Sequence, residues 1–545
     1  QAVRWRITLQ IFHLNWQAVI QNNLMRLQVL PRILERLLMG NSVEADLMKL
    51  LATLGEKQAS GQGVFIEEKK YGLIGGNVSH SLSKKLHGLI GGYAYSLIEL
   101  RDSKRLGEVL HMAGFYGFNI TNPYKEAVIE HLDELSEEAE VIQAVNTVKV
   151  LPDGRLKGYN TDYLGLMKLF KAETVAGKRV AILGTGGASL SAIYAMKKLG
   201  ANEIVRVSRN RDKVDSLVQI GEPGNSQKLS EIYNYDDNEW RDAEIIINTT
   251  PVGMFPDNGK SPLDACDVNW ESLEQTEMAV DLIYNPHRTK FMQDAELAGI
   301  KTIGGLGMLI WQGIYARDIW EGRDMEPDYS LAASVMERLL REQLNLVTVG
   351  MPGSGKSSIS RQVALTMKRK FVDIDRAVAH EEGCAINQII EKSGVEVFRN
   401  IESKKLREVC ARNHQVIATG GGSILKETNR EIIRENSLVI YIDRPTKFLA
   451  TKNRPLSQRK GVYNLYRERA NLYHGIADIK VNNKYRFGRE KRMADEHVTF
   501  NKKNEADSKQ SQYMRDIRRF ARSVAKRYKL HIRHIVERDI YGIGR

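Results

Sequence analysis

Apolar positions along the 545-residue chain change their spacing twice. Through residues 1–65, Leu24, Leu27, Leu34, Leu37 and Leu38 recur at helical intervals until Gly40, and after Ser42 a second run carries Leu47, Leu50, Leu51 and Leu54. Intervals of three and four place such side chains on one helix face, so helices are predicted there. From Tyr71 short apolar runs alternate with longer amphipathic ones, which is the pattern of an α/β fold. Strands are predicted at 71–74, 179–183, 203–207, 346–349, 371–375 and 416–419, and helices at 327–343 and 358–368. Past Asn483 the helical interval returns in Met514, Ile517, Ala521, Val524 and Tyr528.

Several strands run straight into glycine or polar loops. After 346–349 comes Gly350-Met351-Pro352-Gly353-Ser354-Gly355-Lys356-Ser357, a full-length P-loop. Its glycines let backbone N–H groups cradle phosphates, Lys356 meets the β and γ oxygens, and the Ser357 hydroxyl suits Mg²⁺. A nucleoside triphosphate is therefore expected. After 179–183 comes Gly184-Thr185-Gly186-Gly187-Ala188-Ser189, a dinucleotide turn with Ser189 in place of the third glycine. The next strand ends in Ser208-Arg209-Asn210, where NAD would call for an acid on the ribose; Arg209, with Lys213 beyond it, suits the 2′-phosphate of NADP. The strands ending at Asn248 and at 281–286, which includes Tyr284, are expected to line the nicotinamide side.

Between residues 75 and 162 four polar segments are each read as the end of a strand. They are 75–83 with Ser81 and Ser83, 117–125 with Asn119, Thr121 and Lys125, 144–147 with Asn146, and 158–162 with Asp162. In open α/β sheets ligands bind at carboxyl ends of strands, so four such segments suggest one pocket. Lys125 and Asp162 form the pair there able to exchange a proton with a substrate oxygen; a surface ion pair is the alternative.

Composition narrows the class. No run of about 18 apolar residues predicts a membrane span. The start, Gln1-Ala2-Val3-Arg4-Trp5, lacks a signal-peptide core and, without Met, points to a fragment or a processed end. Cys266, Cys384 and Cys410 lack metal-ligand spacing, which argues against structural zinc or a disulfide framework and fits a cytoplasmic protein. Of the +13 net charge, residues 484–545 carry +10, from 18 Lys/Arg against 8 Asp/Glu, leaving +3 for the rest. The basic stripe-bearing helix in this tail would suit nucleic acid or an anionic surface, or would dock on its neighbour; no base-reading motif accompanies it.

Residues 71–343 resemble shikimate dehydrogenase. The His80-Ser81-x-Ser83 loop, Asn119-x-Thr121-x-Pro123-x-Lys125, Ala144-Val145-Asn146-Thr147, Asn160-Thr161-Asp162 and Gly307-Met308-Leu309-x-x-Gln312 occur in family order. The resemblance implies that Ser81 and Ser83 hold the substrate carboxylate. Thr121, Asn146, Asp162 and Gln312 would meet hydroxyl and keto oxygens, with Tyr284 beside them, and Lys125 with Asp162 would be the catalytic pair. Gly184, Gly186, Gly187, Ala188, Ser208, Arg209 and Lys213 would bind NADP(H). Lys84 and Gly88 depart from the family's Pro and Asn, positions expected to shape the loop.

Residues 345–482 resemble shikimate kinase. Asp375, Arg399, Gly420, Gly421, Gly422 and Arg469 would bind shikimate, with Asp375 orienting or deprotonating its 3-hydroxyl. Gly350, Gly353, Ser354, Gly355, Lys356, Ser357 and Arg454 would hold ATP, with Lys356 and Arg454 on the transferring phosphoryl group, and Ser357 and Asp373 would serve Mg²⁺. A short lid is expected between Leu456 and Tyr466. The predicted organisation is a helical extension (1–65), an α/β substrate domain (66–170), a Rossmann NADP domain (171–310) and helices returning to the substrate domain (311–344). A P-loop kinase domain (345–483) and a basic tail (484–545) complete the chain. The activity expected is NADPH reduction of 3-dehydroshikimate and then phosphorylation of shikimate by ATP; an NAD-using quinate/shikimate dehydrogenase and an inactive nucleic-acid-binding fusion are the alternatives.

Overall fold

The computed structural model describes residues 69–209, 232–266, 268–449, 461–483 and 500–542. The helices predicted in 1–65, together with Lys213, Arg454 and residues 456–460 of the predicted lid, lie outside these residues.

Three sheets succeed one another along the described residues. The first contains β1 (Lys70–Gly75), β2 (Ala94–Glu99), β3 (Phe115–Ile120), β4 (Glu134–Leu135), β5 (Thr147–Val150) and β6 (Leu156–Tyr159), ordered β2-β1-β3-β5-β6-β4. It is mixed: β1 lies parallel to β2 and β3, whereas β5 is antiparallel to both β3 and β6. One expectation is corrected by this topology. Ala144 to Asn146 precede β5 instead of ending a strand, yet the antiparallel register Asn119↔Thr147↔Tyr159 brings them to the edge where β3 and β6 end. The four polar segments therefore still meet.

The second sheet is parallel throughout. It comprises β7 (Arg179–Leu183), β8 (Glu203–Val207), β9 (Ile232–Tyr233), β10 (Ile245–Asn248), β11 (Met278–Asp281) and β12 (Lys301–Gly304), ordered β12-β11-β10-β7-β8-β9. The order reverses between β7 and β10, the switch point at which such sheets take a ligand. The third sheet, also parallel, holds β13 (Asn345–Val349), β14 (Lys370–Asp373), β15 (Gln415–Ala418), β16 (Ser437–Asp443) and β17 (Ile479–Asn482), ordered β14-β15-β13-β16-β17.

The helices that frame the sites and the core between them are α1 (Ser83–Ile90), α2 (Asp162–Met167), α3 (Gly187–Lys198), α4 (Lys290–Leu297), α5 (Leu306–Glu321) and α6 (Tyr329–Gln343), then α7 (Lys356–Met367), α8 (Ile374–Glu381), α9 (Val395–Cys410), α10 (Glu427–Glu435), α11 (Val462–Ile476) and α12 (Phe500–Tyr541).

One hydrophobic core runs without interruption from the helices packed on the first sheet into the module of the third sheet. Trp311 and Ile314 of α5, Val335 and Leu339 of α6, Leu346 of β13, Ile359 and Val363 of α7, and the apolar stripe of α12 all belong to it. The stripe runs well past the predicted Ile517, Ala521, Val524 and Tyr528, through Ile532, Ile535 and Ile540, and each of these is buried. Full burial of such side chains contributes roughly 1.5–3 kcal/mol apiece. Helix α12 therefore docks along α7 and α6, with Arg515, Arg518, Arg522, Lys526 and Lys529 left on its solvent face. Arg369 ties the junction. It donates to Leu344 O at 2.7 Å, near the carboxyl end of α6, and to the Tyr528 hydroxyl at 2.8 Å, with its guanidinium 4.8 Å from the Tyr528 ring.

Candidate active sites

In the first site Lys125 Nζ lies 2.6 Å from Asp162 Oδ2, and both side chains are largely buried. Asp162 opens α2, so its backbone N–H is free of helical partners and donates to Asn160 Oδ1 at 3.1 Å. Its other carboxylate oxygen accepts from Asn146 Nδ2 at 2.7 Å, while Asn146 Oδ1 accepts from Thr161 N at 2.6 Å. Asn119 extends this net, donating to Thr147 Oγ1 at 3.2 Å and accepting from the Tyr95 hydroxyl at 2.7 Å. Asn146 and Asp162 thus hold each other's orientation.

The remaining predicted groups sit around this pair. Ser81 Oγ donates to Ser83 Oγ at 3.0 Å, and the Tyr284 hydroxyl faces Ser81 and the Leu82 backbone. Gln312, on α5, packs against Gly165 of α2, where a side chain would meet Gln312 Cβ at 3.3 Å. Thr121 comes directly after β3, its methyl against Gly75. Lys84 and Gly88, the departures from the family pattern, are exposed on α1.

The dinucleotide turn adjoins this pocket. A Cβ on Gly187 would lie 3.2 Å from Lys125 Cβ, so the turn and the predicted proton donor are in contact. Gly184 adopts φ +113° and Gly186 has open space around it, a cradle that a phosphate fits, at the start of α3. Ala188 lies in the first turn of α3, and at the end of β8 Ser208 is buried and Arg209 exposed. This donor set suits a 2′-phosphorylated dinucleotide. Sequence reasoning missed Ser191 on α3, whose hydroxyl meets Asn160 Nδ2 at 3.0 Å and links the two sheets' modules. No local signal marks it.

Asp281, at the end of β11, is fully buried. It accepts from Thr289 Oγ1 at 2.6 Å and from Ile283 N and Asn248 Nδ2 at 3.0 Å. Burial pushes its carboxyl up to about 7 despite these donors. The folded chain therefore keeps a proton that the unfolded chain releases near pH 4. The associated stability is fully present below that value and lost as pH rises through about 7. At about 1.4 kcal/mol per pKa unit this amounts to a few kcal/mol. Asp281→Asn retains the geometry, because the Thr289 hydroxyl can reverse. We expect it to raise the first thermal transition at pH 8 by several degrees and to leave it unchanged at pH 4.5; an equal shift at both would refute the linkage.

In the second site Gly350, Gly353 and Gly355 all have positive φ, which turns the loop's N–H groups inward at the start of α7. Ser354 is fully buried, and the buried Lys356 donates to Gly350 O at 2.8 Å and Met351 O at 3.1 Å. Asn483 Nδ2 donates to Ser354 O at 2.8 Å and braces the loop from the far side. The donor set fits a polyphosphate. Ser357 is exposed in the first turn of α7, while Asp373 ends β14 and caps α8 by accepting from Arg376 N at 3.2 Å. A hydroxyl and a carboxylate are donors that Mg²⁺ accepts.

The strand predicted over 371–375 stops at Asp373, because that cap starts a helix, so Asp375 lies in the first turn of α8. Burial pushes the Asp375 carboxyl up to about 6, helped by the nearby Glu402 and Asp373. Its Oδ1 would lie 2.7 Å from a Cβ on Gly420, and a Cβ on Gly422 would collide with Arg399 at 2.0 Å. A side chain at either position would have to displace Asp375 and Glu402, or Arg399. Arg399 Nη1 pairs with Glu402 Oε2 at 2.5 Å, and Glu402 Oε1 accepts from Ser423 Oγ at 2.5 Å. Gly421 O accepts from Arg469 Nη1 at 3.0 Å and from the Tyr473 hydroxyl at 2.5 Å. Asp375, Arg399, Arg469 and the three glycines therefore share one cleft edge. Glu402, which pairs with Arg399 on α9, carried no role in the sequence reading, and Tyr473, whose hydroxyl shares the Gly421 carbonyl with Arg469, was not singled out because its role depends on α11 meeting the glycine turn.

Residues 73–148 match the family model "Shikimate dehydrogenase substrate binding domain" and residues 352–499 the model "Shikimate kinase". The latter match runs past Asn483, where the resemblance was expected to end. The chain is 36% identical over 286 residues to a shikimate dehydrogenase (NADP(+)) of Methanopyrus kandleri, covering 50% of this chain and 97% of that one. It is 37% identical over 268 residues to the shikimate dehydrogenase (NADP(+)) of Caldicellulosiruptor saccharolyticus, with 46% and 92% covered. Among solved structures, shikimate dehydrogenase 1 of Peptoclostridium difficile is 35% identical, covers 50% of this chain and 97% of its own, and has a TM-score of 0.43.

Proposed function

The chain belongs to the shikimate dehydrogenase family, and from that premise we propose how its residues reduce 3-dehydroshikimate and then phosphorylate the shikimate formed. The protein is a bifunctional enzyme of the shikimate pathway, using NADP(H) in its first module and ATP with Mg²⁺ in its second.

The observation that carries the first step is the Lys125–Asp162 contact beside the Gly187 turn. Ser81 and Ser83 bind the substrate carboxylate; Tyr284, Thr121, Asn146 and Gln312 orient the ring. NADPH, when bound by the turn, Ser208, Arg209 and Lys213, supplies the hydride. Lys125 holds the proton that the ketone oxygen takes as it becomes a hydroxyl, and Asp162 keeps the ammonium aimed and hydrogen-bonds the hydroxyl so formed. The exposed Arg209 favours NADP over NAD.

In the second step Arg399 and Arg469 bind the shikimate carboxylate, and the Gly420, Gly421 and Gly422 backbone lets the ring lie close. Asp375 accepts the 3-hydroxyl proton. Lys356 and Arg454 neutralise charge on the transferring phosphoryl group, and Ser357 and Asp373 would hold Mg²⁺, which when bound neutralises further phosphate charge. Three unpaired cysteines support a cytoplasmic enzyme.

One coupled assay tests the whole reading. With 3-dehydroshikimate, NADPH and ATP, purified protein should yield shikimate 3-phosphate; omitting ATP should stop the sequence at shikimate, and omitting NADPH should stop it before shikimate. Equal rates with NADH would refute the assignment of Arg209.

A further inference from the structure

The loop between β11 and α4 has two attachments. At one end the Tyr284 hydroxyl faces Ser81 and the Leu82 backbone in the dehydrogenase pocket. Three residues later the same loop is held by the kinase module. Asn436 Oδ1 accepts from His287 N at 2.8 Å, Glu435 O accepts from Arg288 N at 2.9 Å, and Asp478 Oδ1 accepts from Arg288 Nη2 at 2.6 Å. Both members of the Arg288–Asp478 pair are nearly excluded from solvent, at 13% and 11% side-chain exposure. Water therefore screens the pair little, and its geometry is restrictive.

The platform is itself stiff. Asp478 Oδ2 accepts from Val439 N of β16 at 2.7 Å, and Asn436 O accepts from Asn345 N at the start of β13. On the dehydrogenase side the loop is tied down by Asp281, through Ile283 N and Thr289 Oγ1. Between these anchors Tyr284 has little freedom to move. Two of the three kinase contacts grip backbone N–H groups, so they fix the path of the chain instead of merely matching charge.

We propose that the kinase module positions Tyr284 for the dehydrogenase reaction, with Asn436 and Asp478 as positioning residues that touch neither substrate nor cofactor. This inference rests on the reading of Tyr284 as a substrate-binding residue. Fusion then does more than place two catalysts on one chain: the second module completes the shape of the first module's pocket.

The test uses the full chain with Asn436→Ala, Asp478→Asn and the double variant, each with and without Tyr284→Phe. In shikimate oxidation by NADP, the double variant should raise the KM for shikimate about fivefold. The KM for NADP and the kinase kcat should stay within about twofold, as expected for lost ground-state positioning. In the Tyr284→Phe background the same substitutions should add nothing, because the group they position has gone. If Tyr284→Phe alone leaves the KM for shikimate unchanged, the Tyr284 assignment fails and the proposal with it. If Tyr284→Phe raises KM but the kinase-side variants do not, the proposal alone is overturned. An equal increase in both backgrounds means general loosening and also overturns it. Should Asp478→Asn impair folding, Asn436→Ala, which removes one acceptor, decides the matter alone.

Discussion

Lys125→Ala should lower NADP-dependent shikimate oxidation by about 10²- to 10⁴-fold, the range for loss of a positioned general acid–base group. The KM for shikimate should change far less, because Ser81 and Ser83, the proposed ligands of the carboxylate, are untouched. Asp162 keeps two bonds of its net, from Asn146 Nδ2 and to Asn160 Oδ1, so its position survives the substitution. What it loses is its counter-charge. A mostly buried carboxylate without its cation is destabilised, and a modest fall in melting temperature should accompany the kinetic loss. Two measurements separate these effects. Phosphorylation of shikimate by the same variant should proceed at the unmodified rate, since the third sheet makes no use of Lys125. A solvent hydrogen isotope effect on the residual oxidation should change as the proton path changes. A rate within about threefold of the unmodified enzyme would remove Lys125 from the chemistry.

The elements legible in the sequence were those specified locally. Strands β7 and β13 each end in a glycine turn, so apolar run and breaker mark the same place, and both were read with their loops. Strand β14 was read two residues too long. Asp373 and Asp375 alternate with apolar residues as a strand would, and only the side-chain cap on Arg376 N shows that the helix has begun. The segment before β5 was read as a strand end because nothing local distinguishes parallel from antiparallel pairing.

The candidate sites divide in the same way. Lys125, Asp162, Arg399 and Asp375 lie in motifs and could be named. Ser191, Tyr473, Asn436 and Asp478 act on partners from 31 to 190 positions away, through contacts created only when the elements pack. The charge of the tail was legible, but its destination was not. An amphipathic basic helix has the same pattern whether its stripe meets a partner or the chain's own core, and here it lies on α7 and α6.

Lys356→Ala should abolish ATP-dependent phosphorylation of shikimate, by about 10³-fold or more, and leave the dehydrogenase intact. Lys356 is the one cation whose Nζ the P-loop's own carbonyls hold among the described residues, at Gly350 O and Met351 O. In the proposed mechanism it neutralises the group in transfer together with Arg454, and positioning with charge stabilisation is nearly all that phosphoryl transfer asks of a protein. Alanine at 356 keeps the helix, being the strongest helix former, and removes only the ammonium. The less obvious part concerns the other module. Helix α7 shares its core with α12, α6 and α5, so a change that disturbed its packing would reach the dehydrogenase. The Lys356 ammonium points to the loop, away from Ile359 and Val363, which make that packing. Dehydrogenase kcat and KM for shikimate should therefore remain within about twofold. Loss of both activities in this variant would mean that α7 depends on its lysine for its seat in the shared core, and that the two catalytic units cannot be separated by point substitution.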